Sequence, residues 1–127
     1  MKCYITKDEN VFGAVKTFVE GLPGEGVVIL GYNVYWNVDE IRAKFPNEKI
    51  IIYQLEQISV WYDVSKRGAI KIRSNQYLRA LNECDEIWDY DAENVLFLRD
   101  KVHVPLYLKP LQVCEALNYK IPRDFIV

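Results

Sequence analysis

Apolar residues in this chain fall into short unbroken runs, separated by stretches where they recur every three or four positions. The runs are "KCYIT" from Lys2, "GVVILG" (Gly26 to Gly31), "KIIIYQ" (Lys49 to Gln54), "DEIWDY" (Asp85 to Tyr90) and "KVHVPLYL" (Lys101 to Leu108). A short continuous apolar run bounded by glycine or polar residues is the pattern of a strand buried on both faces. Pro105 interrupts the last run, which places that strand, expected over 102–104, at a sheet edge or strand end. Between the runs lie helical patterns. Val11, Phe12, Val15, Phe18 and Val19 share one face, with Asp8 as N-cap and Gly21 and Pro23 as the stop. "NVDEIRAKF" reads as a short helix capped by Asn37. "NQYLRALNEC", after a Ser74 cap, aligns Tyr77, Leu78 and Leu81. "AENVLFLRD" follows Asp91, with Val95, Leu96 and Leu98 as its packing side, and "LQVCEALNY" can form a final helix. Residues 58–73 carry no clear period.

Strands alternating with helices predict βαβ units with right-handed crossovers. The expected fold is a single Rossmann-like α/β domain over residues 1–127, with a largely parallel sheet and helices on both faces.

Composition agrees with a folded protein. Half of the 127 residues are apolar, and nine Tyr and three Trp argue against disorder. Sixteen basic and 18 acidic residues give a net charge of −2, so no basic face for nucleic acid is expected. "SKRGAIKIR", Ser65 to Arg73, is the one basic cluster and reads as a solvated loop. Cys3, Cys84 and Cys114 are too scattered for a disulfide framework or a metal-ligand set, so reduced thiols and a cytoplasmic setting are expected. No apolar stretch is long enough for a membrane span, and no secretory leader follows Lys2.

The chemistry concentrates after the strands. In a parallel sheet, the loops that leave the carboxyl ends of the strands gather along one edge. Tyr32 and Asn33 follow the second run, Glu56 and Gln57 the third, and Asp89 and Tyr90 close the fourth. Amides and carboxylates beside aromatic faces suit a sugar or nucleoside, which has polar edges and apolar faces. These six are the candidate ligand-binding residues, and Glu56 is the candidate general base. Structural readings stand beside the functional one: Asp91 as a helix N-cap, Glu56 as a first-turn carboxylate, and Tyr32, Trp36 and Trp88 as core. His103, the only histidine, sits in an apolar run and reads as structural. "GLPGEG", Gly21 to Gly26, lacks the Lys-Ser/Thr ending of a phosphate loop and precedes a strand, so it reads as a turn. No cofactor and no metal is implied.

Three strings carry a resemblance: "IIIYQLEQ", "YLRALNECDEIWDYDAENVLFL" and "VHVPLYLKPL". Their order resembles a group of bacterial and viral glycosyltransferase-like proteins over roughly residues 27 to 110. The matching positions are Tyr53, Leu55, Glu56 and Gln57, then Asp85, Glu86, Trp88, Asp89, Tyr90 and Asn94, then Pro105 and Tyr107. Leu106 departs from the pattern where a Gly-Tyr would follow Val-Pro. The resemblance implies the amino-terminal, acceptor-side half of a GT-B glycosyltransferase, with transfer that needs no tightly bound metal. Residues 111–127 then read as a linker or the start of a second, nucleotide-sugar-binding domain. The expected function is acceptor binding, inactive alone, with a glycan or sugar acceptor as partner. The alternative is a non-catalytic binding or oligomerisation module. A homo-oligomer is expected in either case, to cover apolar surface.

Overall fold

The computed structural model of the chain describes residues 1–5, 9–31, 38–56, 58 and 76–111. Along these run β1 (Lys2–Ile5), α1 (Glu9–Glu20), β2 (Val27–Leu30), α2 (Val38–Lys44), β3 (Ile50–Gln54), α3 (residues 76–81), β4 (Glu86–Asp89), α4 (Ala92–Leu98) and β5 (Leu106–Leu108). The proposed caps Asp8, Asn37 and Ser74, the stretch without a clear period after Ile58 and the expected final helix lie outside the described residues. The strands form one five-stranded sheet in the order β1-β2-β3-β4-β5. Every neighbouring pair is parallel. The expected α/β, Rossmann-like arrangement is therefore what forms.

The apolar runs explain the middle of the sheet. β2, β3 and β4 are buried along their whole length. Alternate side chains enter two separate cores, as the strand period requires. Val27, Ile29, Ile50, Ile52 and Ile87 face a core closed by Ile41 of α2, Tyr77 and Leu81 of α3 and Leu98 of α4. Val28, Leu30, Ile51, Tyr53 and Trp88 face the other, with Val15 and Val19 of α1. Tyr53 and Trp88 meet edge-to-face there, ring centres 5.6 Å apart. Helices thus cover both faces.

Three expectations need correction. The first concerns crossover hand. β1–α1–β2 and β2–α2–β3 step the same way across the sheet, yet α1 and α2 lie on opposite faces. The two connections therefore have opposite hands, so right-handedness does not extend to both. The consequence is that β2 is sheltered from both sides.

The second concerns the last strand. β5 is Leu106–Leu108, beyond Pro105 and not at 102–104. Proline has no N–H to give, but its carbonyl still accepts, and Ile87 N–H donates to Pro105 O at 2.8 Å. Pairing starts on that bond and ends where Lys109 N–H donates to Asp89 O at 2.7 Å.

The third concerns α4. Its buried residues are Asn94 and Leu98, while Leu96 is 59% exposed. Residues four apart share a helix face and Leu96 lies opposite them, so the inward position went to an amide with partners to bond.

The turn reading of "GLPGEG" agrees with the backbone. Gly26 has φ of 130°, and a Cβ there would sit 3.1 Å from the Lys49 carbonyl oxygen. A side chain would block the approach that lets Val27 N–H donate to that carbonyl.

At the amino ends of β3 and β4, Arg42 grips Asp85 through both terminal guanidinium nitrogens, at 3.1 and 3.2 Å. Asp85 also accepts from Ile50 N–H at 2.8 Å. Partial burial would raise the Asp85 carboxyl. The Arg42 hydrogen bonds and charge, the Ile50 N–H and the Lys49 charge outweigh it and hold the carboxyl below its ordinary value. A carboxyl lowered by folding stabilises the fold above its unfolded pKa, and that contribution is lost as pH falls through the folded value. We expect Arg42→Met to show a shallower loss of urea stability than wild type between about pH 5 and about pH 2. Equal slopes would remove Arg42 as the cause. The pair is well exposed, so its effect at neutral pH should be small.

Candidate functional site

The carboxyl ends of β3 and β4 end side by side, with Gln54 paired in register to Asp89. Both side chains are buried, and around them the chain gathers Tyr77 from α3 and Asn94 from α4. Tyr77 Oη donates to Gln54 Oε1 at 2.8 Å, and Gln54 Nε2 donates in turn to the Glu56 carbonyl oxygen. The same oxygen receives Asn94 Nδ2 at 2.6 Å and Ile58 N–H at 3.0 Å. Asp89 Oδ1 accepts from Asp91 N–H at 2.9 Å and from Asn94 Nδ2 at 3.2 Å. Two strand ends, a helix start and the turn at Glu56 are thereby tied into one frame.

The frame answers why the core strand Ile50–Tyr53 runs straight into polar residues. Gln54 bonds outward to Tyr77 and the turn, so its amide is a structural joint. Glu56 is the contrasting case. Its main chain is held by three donors, while its side chain is exposed. A carboxylate on an anchored backbone is what a contact residue needs, because little freedom remains to be lost on binding.

The other candidates divide. Asp89 is fully buried within the frame, while the Tyr90 side chain packs in the core with Tyr53 and Trp88 and its backbone N–H donates to Gln54 O at 3.3 Å. Tyr32, Asn33 and Gln57 lie outside the described residues. Asn94 and Tyr77 are frame residues that the sequence pattern did not single out for the edge. For Asn94 the available signal was an amide on the otherwise apolar side of a helix. Asp91 occupies the N-cap position of α4 but makes no side-chain capping bond. His103 is exposed, and its backbone N–H donates to Asn82 Oδ1 at 2.9 Å.

Burial pushes the Asp89 carboxyl up to about 7. The Asp91 N–H and the Asn94 and Gln54 side chains draw it down, and the Asp91 charge adds to the rise. Burial likewise pushes the Cys3 and Cys84 thiols up to about 12, which leaves them poor nucleophiles at neutral pH. Among the described residues no group of three or more His, Cys, Asp or Glu side chains converges as a metal site. No described helix is long and apolar enough to cross a membrane.

A concavity of about 750 Å³ opens at the opposite, amino edge, beside Lys2, Gly24, Glu48 and Lys49. Both of its lysines are already engaged: Lys2 pairs with Glu48, and Lys49 with Glu86 at 2.8 Å. The carboxyl edge is the better candidate, because its buried polar groups converge from separate elements. The chain also leaves β1 toward one face and β2 toward the other, so the topological divergence that opens a crevice falls between those two strand ends. The segments that follow them, 6–8 and 32–37, are outside the described residues.

Fold and edge together define a small Rossmann-like α/β protein with a braced polar rim at the carboxyl end of its sheet. Comparison with family models, with curated proteins and with solved structures finds no match.

The frame makes a direct claim about Tyr77. Tyr77→Phe deletes the donor to the buried Gln54 Oε1 and keeps the ring. Leaving a buried acceptor unpaired costs about 1–3 kcal/mol, so urea stability should fall by that much. A change within a few tenths of a kcal/mol, about the scale of a surface substitution, would show the hydroxyl to be dispensable.

Proposed function

We propose that the chain is the acceptor-side module of a glycosyltransferase-like protein and binds a glycan or other hydroxylated acceptor at the carboxyl edge of its sheet. The observation that carries this reading is Glu56, whose carbonyl is fixed by Gln54, Asn94 and Ile58 while its carboxylate stands in solvent. An ionised carboxylate accepts hydrogen bonds only, and sugar hydroxyls donate them. Glu56 is the contact residue in this proposal and the group able to take a proton from an acceptor hydroxyl. Gln57, Tyr32 and Asn33 are proposed to contact the same ligand on the strength of their positions after β3 and β2. Asp89 and Tyr90 serve from behind, through the frame. The proposal assigns acceptor binding to these 127 residues and no transfer by them alone.

The test is Glu56→Gln, which keeps the side-chain volume and removes the charge. A charge-assisted hydrogen bond contributes about 1.5–3 kcal/mol. Binding to acceptors found on a glycan array should therefore weaken roughly ten- to a hundredfold by calorimetry. The melting temperature should stay unchanged, since the side chain is exposed. Wild-type protein that binds no glycan or nucleotide sugar would overturn the reading, as would a sharp loss of stability in the variant.

A second reading, an oligomerisation module, is favoured by a different observation. Leu96, Tyr107 and Leu108 are large apolar side chains 59%, 52% and 46% exposed, and the last two lie on the edge strand β5. Edge strands with apolar side chains invite pairing. We expect sedimentation at micromolar concentration to show a dimer or larger species, reduced by Leu108→Lys. A lone 14.9 kDa species in wild type would exclude this reading.

A further inference from the structure

Beneath the Glu56 turn, the frame contains acceptors that no described residue satisfies. Asp89 Oδ2, Asp91 Oδ2 and Asn94 Oδ1 are buried and have no hydrogen-bond partner among the described residues. The three residues are 0%, 8% and 0% exposed. Buried polar atoms are paired in the great majority of cases, so three together in one short stretch call for a missing partner.

The free atoms have no other role within the frame. Asp91 stands at the N-cap of α4 with extended backbone angles, yet its carboxylate does not cap the helix. The Asn94 amide lies against Asp89, donating to its Oδ1 and to the Glu56 carbonyl. Turning that amide over to offer a donor would break both bonds, so its oxygen stays an acceptor. The second oxygen of Asp89 belongs to a carboxylate already held on its first. No described Lys or Arg makes an ion pair with Asp89 or Asp91: Lys2, Arg42, Lys49 and Lys101 pair elsewhere. Two buried acidic side chains are thus without a described ion pair, and burying an unpaired charge is unfavourable.

We propose that Asp89 Oδ2, Asp91 Oδ2 and Asn94 Oδ1 hold one hard divalent cation, of the Mg²⁺ or Ca²⁺ class. A water molecule has two hydrogens for three acceptors and brings no charge. A cation serves all three and offsets the carboxylates. A set made only of carboxylate and amide oxygens suits Mg²⁺ or Ca²⁺, and lacks the nitrogen and sulfur ligands typical of zinc. The ion would fasten the start of α4 to the end of β4 and, through Asn94, brace the carbonyl of Glu56. This goes against the metal-free transfer implied by the glycosyltransferase resemblance. It also stands apart from the glycan reading, because the ion would brace the turn whatever Glu56 meets.

The test uses the whole chain after dialysis against EDTA. Mg²⁺ and Ca²⁺ are titrated by calorimetry, with melting temperature followed in parallel. Terbium emission sensitised by aromatic side chains is a local readout, since Trp88 and Tyr90 flank Asp89. We expect one saturable site with Kd at or below about 1 mM for one of the two ions, and a higher melting temperature when it is bound. Asp91→Asn should weaken binding by at least roughly tenfold, as losing even an outer partner of a metal site does. Its melting temperature in EDTA should not fall, because the Asp91 side chain makes no bond that the change removes. If that variant does not fold, Asp89→Asn carries the same comparison, since its remaining oxygen can still accept from Asp91 N–H. The proposal is overturned by the absence of saturable binding up to about 10 mM of either ion. It is equally overturned by binding that persists undiminished in both variants, which would mark surface carboxylates as the site.

Discussion

Burial of β2, β3 and β4 on both faces is the constraint that organises this protein. Strands enclosed in this way have no water for their N–H and C=O groups, which must all be satisfied along the ladder or at its ends. Ile50, Ile51, Ile52 and Tyr53 are each 0 or 1% exposed, so β3 has no face left to give to solvent. Two independent cores follow, and helices must be supplied to each. α2, α3 and α4 close one face, and α1 lies on the other.

The same burial sets the chemistry at the two ends of the strands. At the amino edge, opposite charges meet: Arg42 with Asp85, Lys49 with Glu86, Lys2 with Glu48. Glu86 is buried there with both oxygens used, one by Lys49 and the other by the Trp88 indole N–H at 2.7 Å. The lysines and the arginine of these pairs are thus already taken up by carboxylates. At the carboxyl edge, amides carry the pairing, and the Lys109 ammonium lies over the Trp88 ring, 4.7 Å from its centre, and not in a described ion pair. Gln54 and Asn94 link strand ends to the Glu56 turn, while Asp89 and Asp91 keep oxygens to spare. An edge that holds its backbone firmly and leaves oxygen lone pairs unspent is suited to a hydroxyl donor or to a cation that those oxygens can coordinate.

Much of the architecture was legible before any coordinates. "VVIL" and "IIIY" have no polar position to turn toward water, so they had to be two-sided strands, and whole helical periods between them ruled out hairpins. Tyr77, Leu78 and Leu81 shared a helix face by spacing alone, and they pack together as that spacing requires. The polar rim was legible as a place: Glu56 and Asp89 could be set on one edge because loops after parallel strands emerge together.

The roles within that rim were not legible. Gln54, Glu56 and Asp89 are similar letters in similar positions, yet Gln54 is a buried joint, Glu56 an exposed carboxylate and Asp89 a buried one. Which of them meets solvent depends on Tyr77 and Asn94, which arrive from helices 23 and 38 residues away. The inward turn of Asn94 over Leu96 has the same origin, since a helix rotates to place its hydrogen-bonding side chain where partners wait. Period and composition are local properties, so the chain declares its strands and helices residue by residue. Burial and pairing are created only when distant segments meet, and those alone separate a ligand contact from the frame that holds it.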